Sequence, residues 1–381
     1  MAEDELTPEP DRVEGYPHPR EATHLHGQGD AEAAFLDAWN GGRLHHAWLL
    51  RGPQGIGKAT LAYRIARALI AQPPDDGPGL FGDATTIPTT LDAPEDCPVR
   101  ARIIARGEPR LFVLNRRWDA DKKRVQTQIA IDNVRAVRRF LSLSAADGGW
   151  RVVLVDSADE MNRSSANALL KFLEEPPEQT VFLLISHSPA GLLPTIRSRC
   201  RTLDLAPLTP EALSRTLKGA GAETDAEAAT ALAELSAGSA GQALRLIAGD
   251  GLALYARLVG LLRGGDGIDR QGMTQLAEAC AGRQSAERYA ATLTMTQMLI
   301  ARMARAAATG SPAPEAAKGE HRLIRAVAHD PAQASAWAET LARVSATTRH
   351  AVAVNLDPAQ CVIDTFLEID ATLGRVRNVA A

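Results

Sequence analysis

Nine residues carry the clearest chemistry in this sequence: Gly52-Pro53-Gln54-Gly55-Ile56-Gly57-Lys58-Ala59-Thr60. Gly52, Gly57 and Lys58 satisfy G-x-x-x-x-G-K-[ST], the pattern of a phosphate-binding loop. The glycines, Gly55 among them, let successive backbone N–H groups face phosphate oxygens. Lys58 would bring a point charge to the β- and γ-phosphates of a nucleotide. The last position breaks the pattern, because Ala59 has no hydroxyl to ligate Mg²⁺. Thr60 follows one residue later, about 100° further round a helix. It replaces the missing ligand only if the loop shifts.

A second element points the same way. Val152-Val153-Leu154-Val155-Asp156 is an apolar strand ending in a carboxylate, placed to hold Mg²⁺ directly or through water. Many ATPases of this kind follow that Asp with a Glu that positions the attacking water. Here the next residue is Ser157, a poor base. Asp159 and Glu160 are expected to face elsewhere and to cap the next helix. Loss of a metal ligand and of the water-positioning group should each cost orders of magnitude in rate. Hydrolysis is therefore expected to be slow or absent.

The elements that must hold these residues are legible. Apolar runs at 47–50, 111–114, 151–156, 181–185 and 202–205 read as strands. Helical periodicity covers residues 30–39, 58–71, 132–143 and 165–175, the last stopped by Pro176-Pro177. Strands alternating with helices imply an α/β layer with a mostly parallel sheet. Residues 72–100, rich in Pro, Gly and Asp, read as an insertion or long loop. From residue 209 onwards the pattern is helical, without a good strand. Thr209-Pro210 and Asp357-Pro358 mark helix starts, and Gly264-Gly265-Asp266-Gly267 and Gly310-Ser311-Pro312 mark breaks. The acidic, Pro-rich residues 1–20 read as a flexible or loosely docked leader.

Composition narrows the function. The 381 residues are enough for two or three domains. A formal net charge of -4 argues against a basic nucleic-acid coat protein, and 4% aromatics against a base-stacking groove. The four cysteines, Cys97, Cys200, Cys280 and Cys361, are too widely spaced for a disulfide framework or a four-thiolate zinc site. No apolar run is long enough to cross a membrane, and the start does not read as a signal peptide. A cytoplasmic protein is expected. Of 42 basic residues only six are Lys, which singles out Lys58.

Asn167-Ala168-Leu169-Leu170-Lys171-Phe172-Leu173-Glu174-Glu175-Pro176-Pro177, with Ile196-Arg197-Ser198-Arg199-Cys200, resembles the clamp-loader branch of the AAA+ proteins. His46-Ala47-Trp48-Leu49-Leu50 before the loop and Trp150-Arg151 after Gly148-Gly149 fit as well. The resemblance covers most of residues 24–250 and, more weakly, the rest. It implies a RecA-like AAA+ P-loop domain with a parallel sheet (21–207), a small helical lid (208–250) and an all-helical collar (251–381) that oligomerises in a ring. It implies a subunit of the DNA polymerase III clamp loader, in a hetero-oligomer with motor subunits of the gamma/tau type and delta. Sliding clamp and primed DNA would be reached through the complex. Arg199 would be an arginine finger reaching a neighbour's ATP site, with Ser198 and Cys200 orienting its turn.

Departures from the family select among its members. Only Cys97 remains of the thiolates of a zinc module that many members carry near residues 72–100, so zinc is not expected. Motor subunits place a nucleotide-sensing Arg in a Gly-Ser-x-Arg motif; here Gly238-Ser239-Ala240-Gly241 ends in Gly241. Together with Ala59 and Ser157, this favours a rigid ring partner that binds ATP weakly or not at all, with Mg²⁺ weak or absent. The alternative is a motor-type ATPase in which Thr60 and Glu160 replace the missing groups; a free-standing nucleic-acid-binding protein is a third reading. His45-His46 read as structural, since adjacent residues face apart. Lys171 and the stripe Arg135, Arg138 and Arg139 read as solvated faces, with contact to nucleic acid or a neighbouring subunit as the other reading.

Overall fold

The computed structural model describes residues 9, 12–72, 88–92, 96–119, 122, 124–142, 149–282 and 285–380. The chain divides into two compact units, residues 1–221 with 238–242, and residues 222–237 with 243–381.

The first unit begins with α1 (Gly29–Asn40), β1 (Ala47–Arg51), α2 (Lys58–Ala71) and α3 (Pro98–Ile104). Then come β2 (Leu111–Leu114), the short pair β3 (Trp118–Asp119) and β4 (Arg124–Val125), α4 (Ile131–Ser142) and β5 (Arg151–Val155). It closes with α5 (Arg163–Glu174), β6 (Thr180–Ser186), α6 (Pro194–Arg197), β7 (Arg201–Asp204) and α7 (Pro210–Gly219). Five strands form one parallel sheet in the order β2-β5-β6-β1-β7.

Each strand of that sheet lies within a residue of its expected span. β5 and β6 are continuous apolar runs because helices cover both faces. Alternation along the strands separates two cores. Trp48, Leu50, Val152, Leu154, Leu183 and Ile185 pack with Phe35 of α1 and Leu61, Ile65 and Leu69 of α2. Leu49, Val153, Val155, Phe182 and Leu184 pack with Val134 and Val137 of α4, Leu169 and Leu173 of α5, and Ile196 of α6. The result is a three-layer α/β/α unit.

Three features differ from expectation. Within the stretch read as an insertion, Leu91 is 1% exposed and Pro98 opens α3, while 73–87 and 93–95 lie outside the described residues. The small antiparallel pair β3–β4 was not expected. In the expected leader, residues 9 and 12–20 are docked, and the others lie outside the described residues. His18 is buried edge-on to the Tyr63 ring, and the Glu9 carboxylate accepts from Arg20 Nη1 at 2.7 Å and Nη2 at 3.0 Å. A carboxylate held by a bidentate guanidinium anchors an otherwise polar segment.

The second unit is helical, as expected for that part of the chain. α8 (Ala226–Ser236) lies within it, and α9 (Ala240–Ala248) starts in the first unit and ends in the second. α10 (Gly251–Leu261), α11 (Arg270–Ala279), α12 (Ala286–Thr309), α13 (Glu320–Val327), α14 (Pro331–Ala353) and α15 (Pro358–Ala380) follow. α12 packs along α14, and α15 packs on α11 and α14. At its heart the fully buried Glu320 carboxylate accepts from Arg302 Nε (2.6 Å), Tyr255 OH (2.7 Å) and Ala316 N (2.7 Å), and Arg302 also reaches Glu234 (3.1 Å). Both partners of this buried pair are thereby hydrogen-bonded, which offsets their desolvation. Among the described residues no helix is long and apolar enough to cross a membrane.

Candidate functional site

β1 delivers the phosphate loop to the carboxyl edge of the sheet, where ligands of open α/β folds bind. The strand ends at Gly52, whose φ is +146°; a Cβ there would lie 2.5 Å from Leu205 O, just beyond β7. Only glycine fits that passage. Gln28 ties the loop to the same edge, donating from Nε2 to Ile56 O (2.9 Å) and Ala206 O (2.8 Å). Gly57, at φ +105°, caps α2. The first-turn N–H groups of α2 have no intrahelical partner, as at any helix start, and would face an anion.

The loop is closed on itself. Lys58 is 2% exposed and donates from Nζ to Gly52 O at 2.7 Å and to Pro53 O. Burial pushes its ammonium down to about 8, against the pull of Asp156 and Asp159. Ser239 Oγ donates to Gln54 O at 2.8 Å, and Gly241 N donates to Gly55 O at 2.9 Å. Gly55 and Gly241 meet backbone to backbone: a Cβ on Gly55 would lie 2.4 Å from Ser239 Oγ and 3.0 Å from Gly241 Cα. A Cβ on Gly241 would lie 3.0 Å from Gly55 Cα, so a larger residue there would press on the loop.

Asp156 is buried at the tip of β5. Ser157 Oγ donates to Asp156 Oδ1 at 3.2 Å and lies 2.9 Å from His187 Nε2. His187 N donates to Asp159 Oδ1 at 3.1 Å. Asp159 and Glu160 do not cap α5 as expected: Glu160 pairs with Arg116 at 2.6 Å, and Asn162 is the cap, accepting from Ser165 N at 2.9 Å. Asn162 wins because its side chain sits one residue before the helix. The sequence reading missed His187, whose signal was a polar residue at the tip of an apolar strand. It also missed Gln28, for which no pattern exists.

The donor set falls short of a Mg²⁺–triphosphate site. Asp156 offers a carboxylate, and Ala59, at the second position of α2, offers no oxygen. Thr60, half-buried at the third position, stands a further turn-fraction round the helix.

Arg199 is separate from the loop. α6 seats it by burying Ile196, and its guanidinium donates to Thr195 O at 3.0 Å and to Glu174 Oε1 at 2.7 Å. Both partners of that ion pair are well exposed, at 35% and 48% of their side chains. Ser198 Oγ donates to Thr195 O at 3.1 Å, which tightens the turn. Burial pushes the Cys200 thiol up to about 12, so it stays protonated and unreactive at neutral pH.

The remaining polar candidates occupy structural or solvent-facing places. The His45 and His46 rings do not face apart but stack at 4.4 Å, because they precede β1 rather than lie in it. His46 Nε2 lies 3.0 Å from Leu173 O. Lys171, Arg138 and Arg139 are exposed, as is Arg135, which pairs with Asp132 at 2.7 Å.

Sheet order, phosphate loop and arginine turn together define a P-loop α/β unit of the AAA+ type. Residues 27–209 match the family described as DNA polymerase III, delta subunit. The DNA polymerase III subunit delta' of Pseudomonas aeruginosa is 40% identical over 209 residues, 54% of this chain and 57% of that protein. The delta' subunit of Escherichia coli is 36% identical over 216 residues, 57% of this chain and 58% of that protein. The tau subunit of Escherichia coli is 32% identical over 193 residues, 50% of this chain and 26% of that protein. A solved RuvB structure from Thermotoga maritima aligns over 70% of this chain and 82% of its own, with a TM-score of 0.37 and 17% identity. The matched region spans somewhat over half the length of these two delta' relatives. Over this region the chain is similar in sequence to delta' subunits of DNA polymerase III.

Proposed function

We propose that this chain is a clamp-loader subunit of DNA polymerase III in which the arginine finger is kept and the ATP site has been retired. It acts as the rigid member of a cytoplasmic hetero-oligomeric ring with gamma/tau-type motor subunits and delta. Through that ring it helps to place the sliding clamp on primed DNA. Residues 21–207 are the RecA-like domain, 208–250 the lid and 251–381 the collar. The chain needs no zinc.

One observation carries the reading: the two sites are in opposite states. Arg199 sits on the surface, where its one ion pair among the described residues is with the exposed Glu174 and its other bond is to Thr195 O, and a guanidinium so held is free to exchange that carboxylate for a neighbour's γ-phosphate. Lys58 is buried and spends its ammonium on its own loop. Nucleotide binding would have to displace the Lys58 bonds and find its cation with Ala59 in place of a hydroxyl. ATP therefore binds weakly or not at all. A motor-type reading would need Glu160 to position water, but Glu160 is committed to Arg116.

The test is Arg199→Ala in the reconstituted complex. Arginine fingers contribute ~10³–10⁵ in rate, so ATP turnover at the neighbouring site should fall by orders of magnitude while the ring still assembles. Unchanged turnover and clamp loading would refute the assignment. Titration of the isolated chain with ATP, with and without Mg²⁺, tests the retired loop.

A further inference from the structure

A second charged site lies on α2, nine residues along from Lys58 and thus about 14 Å from the phosphate loop. Here Arg64 and Arg67 of α2 and Arg100 of α3 line a cavity of about 170 Å³ together with Thr23, His24 and Asp92. Arg64 and Arg67 are 4% and 3% exposed. Among the described residues, two of the three guanidiniums have no carboxylate partner.

Arg64 is satisfied on one side, where Nη2 donates to Glu32 at 2.9 Å and Asp92 at 2.8 Å. Its Nε is buried and makes no hydrogen bond. Asp92, the one carboxylate lining the cavity among the described residues, is already shared between Arg64 and Thr90 Oγ1. Arg67 has five N–H donors and makes a single bond, from Nη2 to Ala22 O at 2.9 Å. Burial, and then the like charges of Arg64 and Arg100, push its guanidinium down to about 10 against the weaker pull of Asp92, so it remains charged at neutral pH. Arg100 adds a third cation, with no ion pair among the described residues. Arg67 is thus a buried cation with one neutral acceptor and two cationic neighbours, against which stands the carboxylate of Asp92, already bonded to Arg64 and Thr90; such a cation is costly unless a further anion completes it.

We infer that this cavity is a binding site for a small tetrahedral oxyanion, inorganic phosphate or the phosphate of a monoester, held by Arg67 and Arg100. Arg64 lines the site beside Arg67 without supplying it. The volume supports the size class: it is roughly that of five or six waters, and too small for a nucleotide, whose pockets are on the order of 300 Å³ or more. Planar guanidiniums present paired N–H groups that match phosphate oxygens.

The experiment is titration of the full chain with inorganic phosphate at constant ionic strength, read by calorimetry and by the unfolding midpoint, with chloride as control. Wild type should show saturable binding and a rise in midpoint that chloride does not give. Arg100→Ala, at a half-buried position, should weaken phosphate at least tenfold, and Arg67→Met should do the same. Lys58→Ala should leave phosphate affinity unchanged, which separates this site from the phosphate loop. Ribose 5-phosphate as competitor displaces inorganic phosphate if the occupant is an ester and leaves it bound if it is the free ion; either result keeps the site. The inference is overturned if phosphate and chloride act alike, if Arg100→Ala binds as wild type does, or if Lys58→Ala abolishes binding.

Discussion

Lys58→Met isolates the cost of burying an ammonium inside its own phosphate loop. In the fold Lys58 titrates at about 8, and in the unfolded chain near 10.5. Below pH 8 both states carry the proton, and the fold bears the full penalty of the buried charge. Between pH 8 and 10.5 the unfolded chain binds a proton that the folded chain does not, so stability rises with pH. At about 1.4 kcal/mol per pH unit, the whole interval contributes about 3 kcal/mol. Methionine keeps the volume and removes the titration. Stability of wild type and variant is measured by urea unfolding at a series of pH values, with Trp48, buried within the strand that leads into the loop, as a fluorescent reporter. The wild type should gain about 3 kcal/mol on the variant between pH 8 and pH 10.5. Parallel stability curves would mean that Lys58 is not desolvated in the fold, and the closed-loop argument would fail with it.

Two further substitutions test the packing. Gly55→Ala puts a Cβ 2.4 Å from Ser239 Oγ at a φ of +79°. Left-handed strain of about 1–2 kcal/mol and two weakened hydrogen bonds of about 1 kcal/mol each predict a loss near 3 kcal/mol in chemical denaturation. Glu320→Leu leaves Arg302 buried beside the half-satisfied Glu234 and should cost about 3–5 kcal/mol. Adding Arg302→Met should return much of it, measured as a rise in the thermal midpoint of the double variant over the single one.

The strands were legible because a sheet covered on both faces leaves no room for polar alternation: Thr180–Ser186 is buried at every position. α5 was legible at its C-terminal end, since Pro176-Pro177 cannot continue a helix, whereas its start and its Asn162 cap were not. The β3–β4 pair was not, because Trp118-Asp119 and Arg124-Val125 are two residues each and carry no periodic signal. The site was half legible. Loop, Asp156 and Arg199 are local motifs, and the losses at Ala59, Ser157 and Gly241 were visible as departures from them. Their meaning was not visible. That Gly241 seats against Gly55, that Ser239 bonds Gln54, and that Glu174 holds Arg199 all depend on contacts between residues distant in sequence, which no spacing encodes.

The sheet order has a consequence for synthesis. β1 pairs only with β6 and β7, so Ala47-Trp48-Leu49-Leu50 must wait for partners made roughly 135 residues later, some 7–27 seconds at usual translation rates of 5–20 residues per second. β5 and β6 are near neighbours in the chain and need no such delay. During that interval one of the most apolar segments of the nascent protein has both edges open, the state in which a strand recruits foreign partners. Insertion of β1 between β6 and β7 then completes the sheet and the phosphate loop in one step. Residues up to Asp204 must therefore have left the ribosome before the loop can take its shape, and a chaperone that shields Trp48 until then would raise the yield of folded chain.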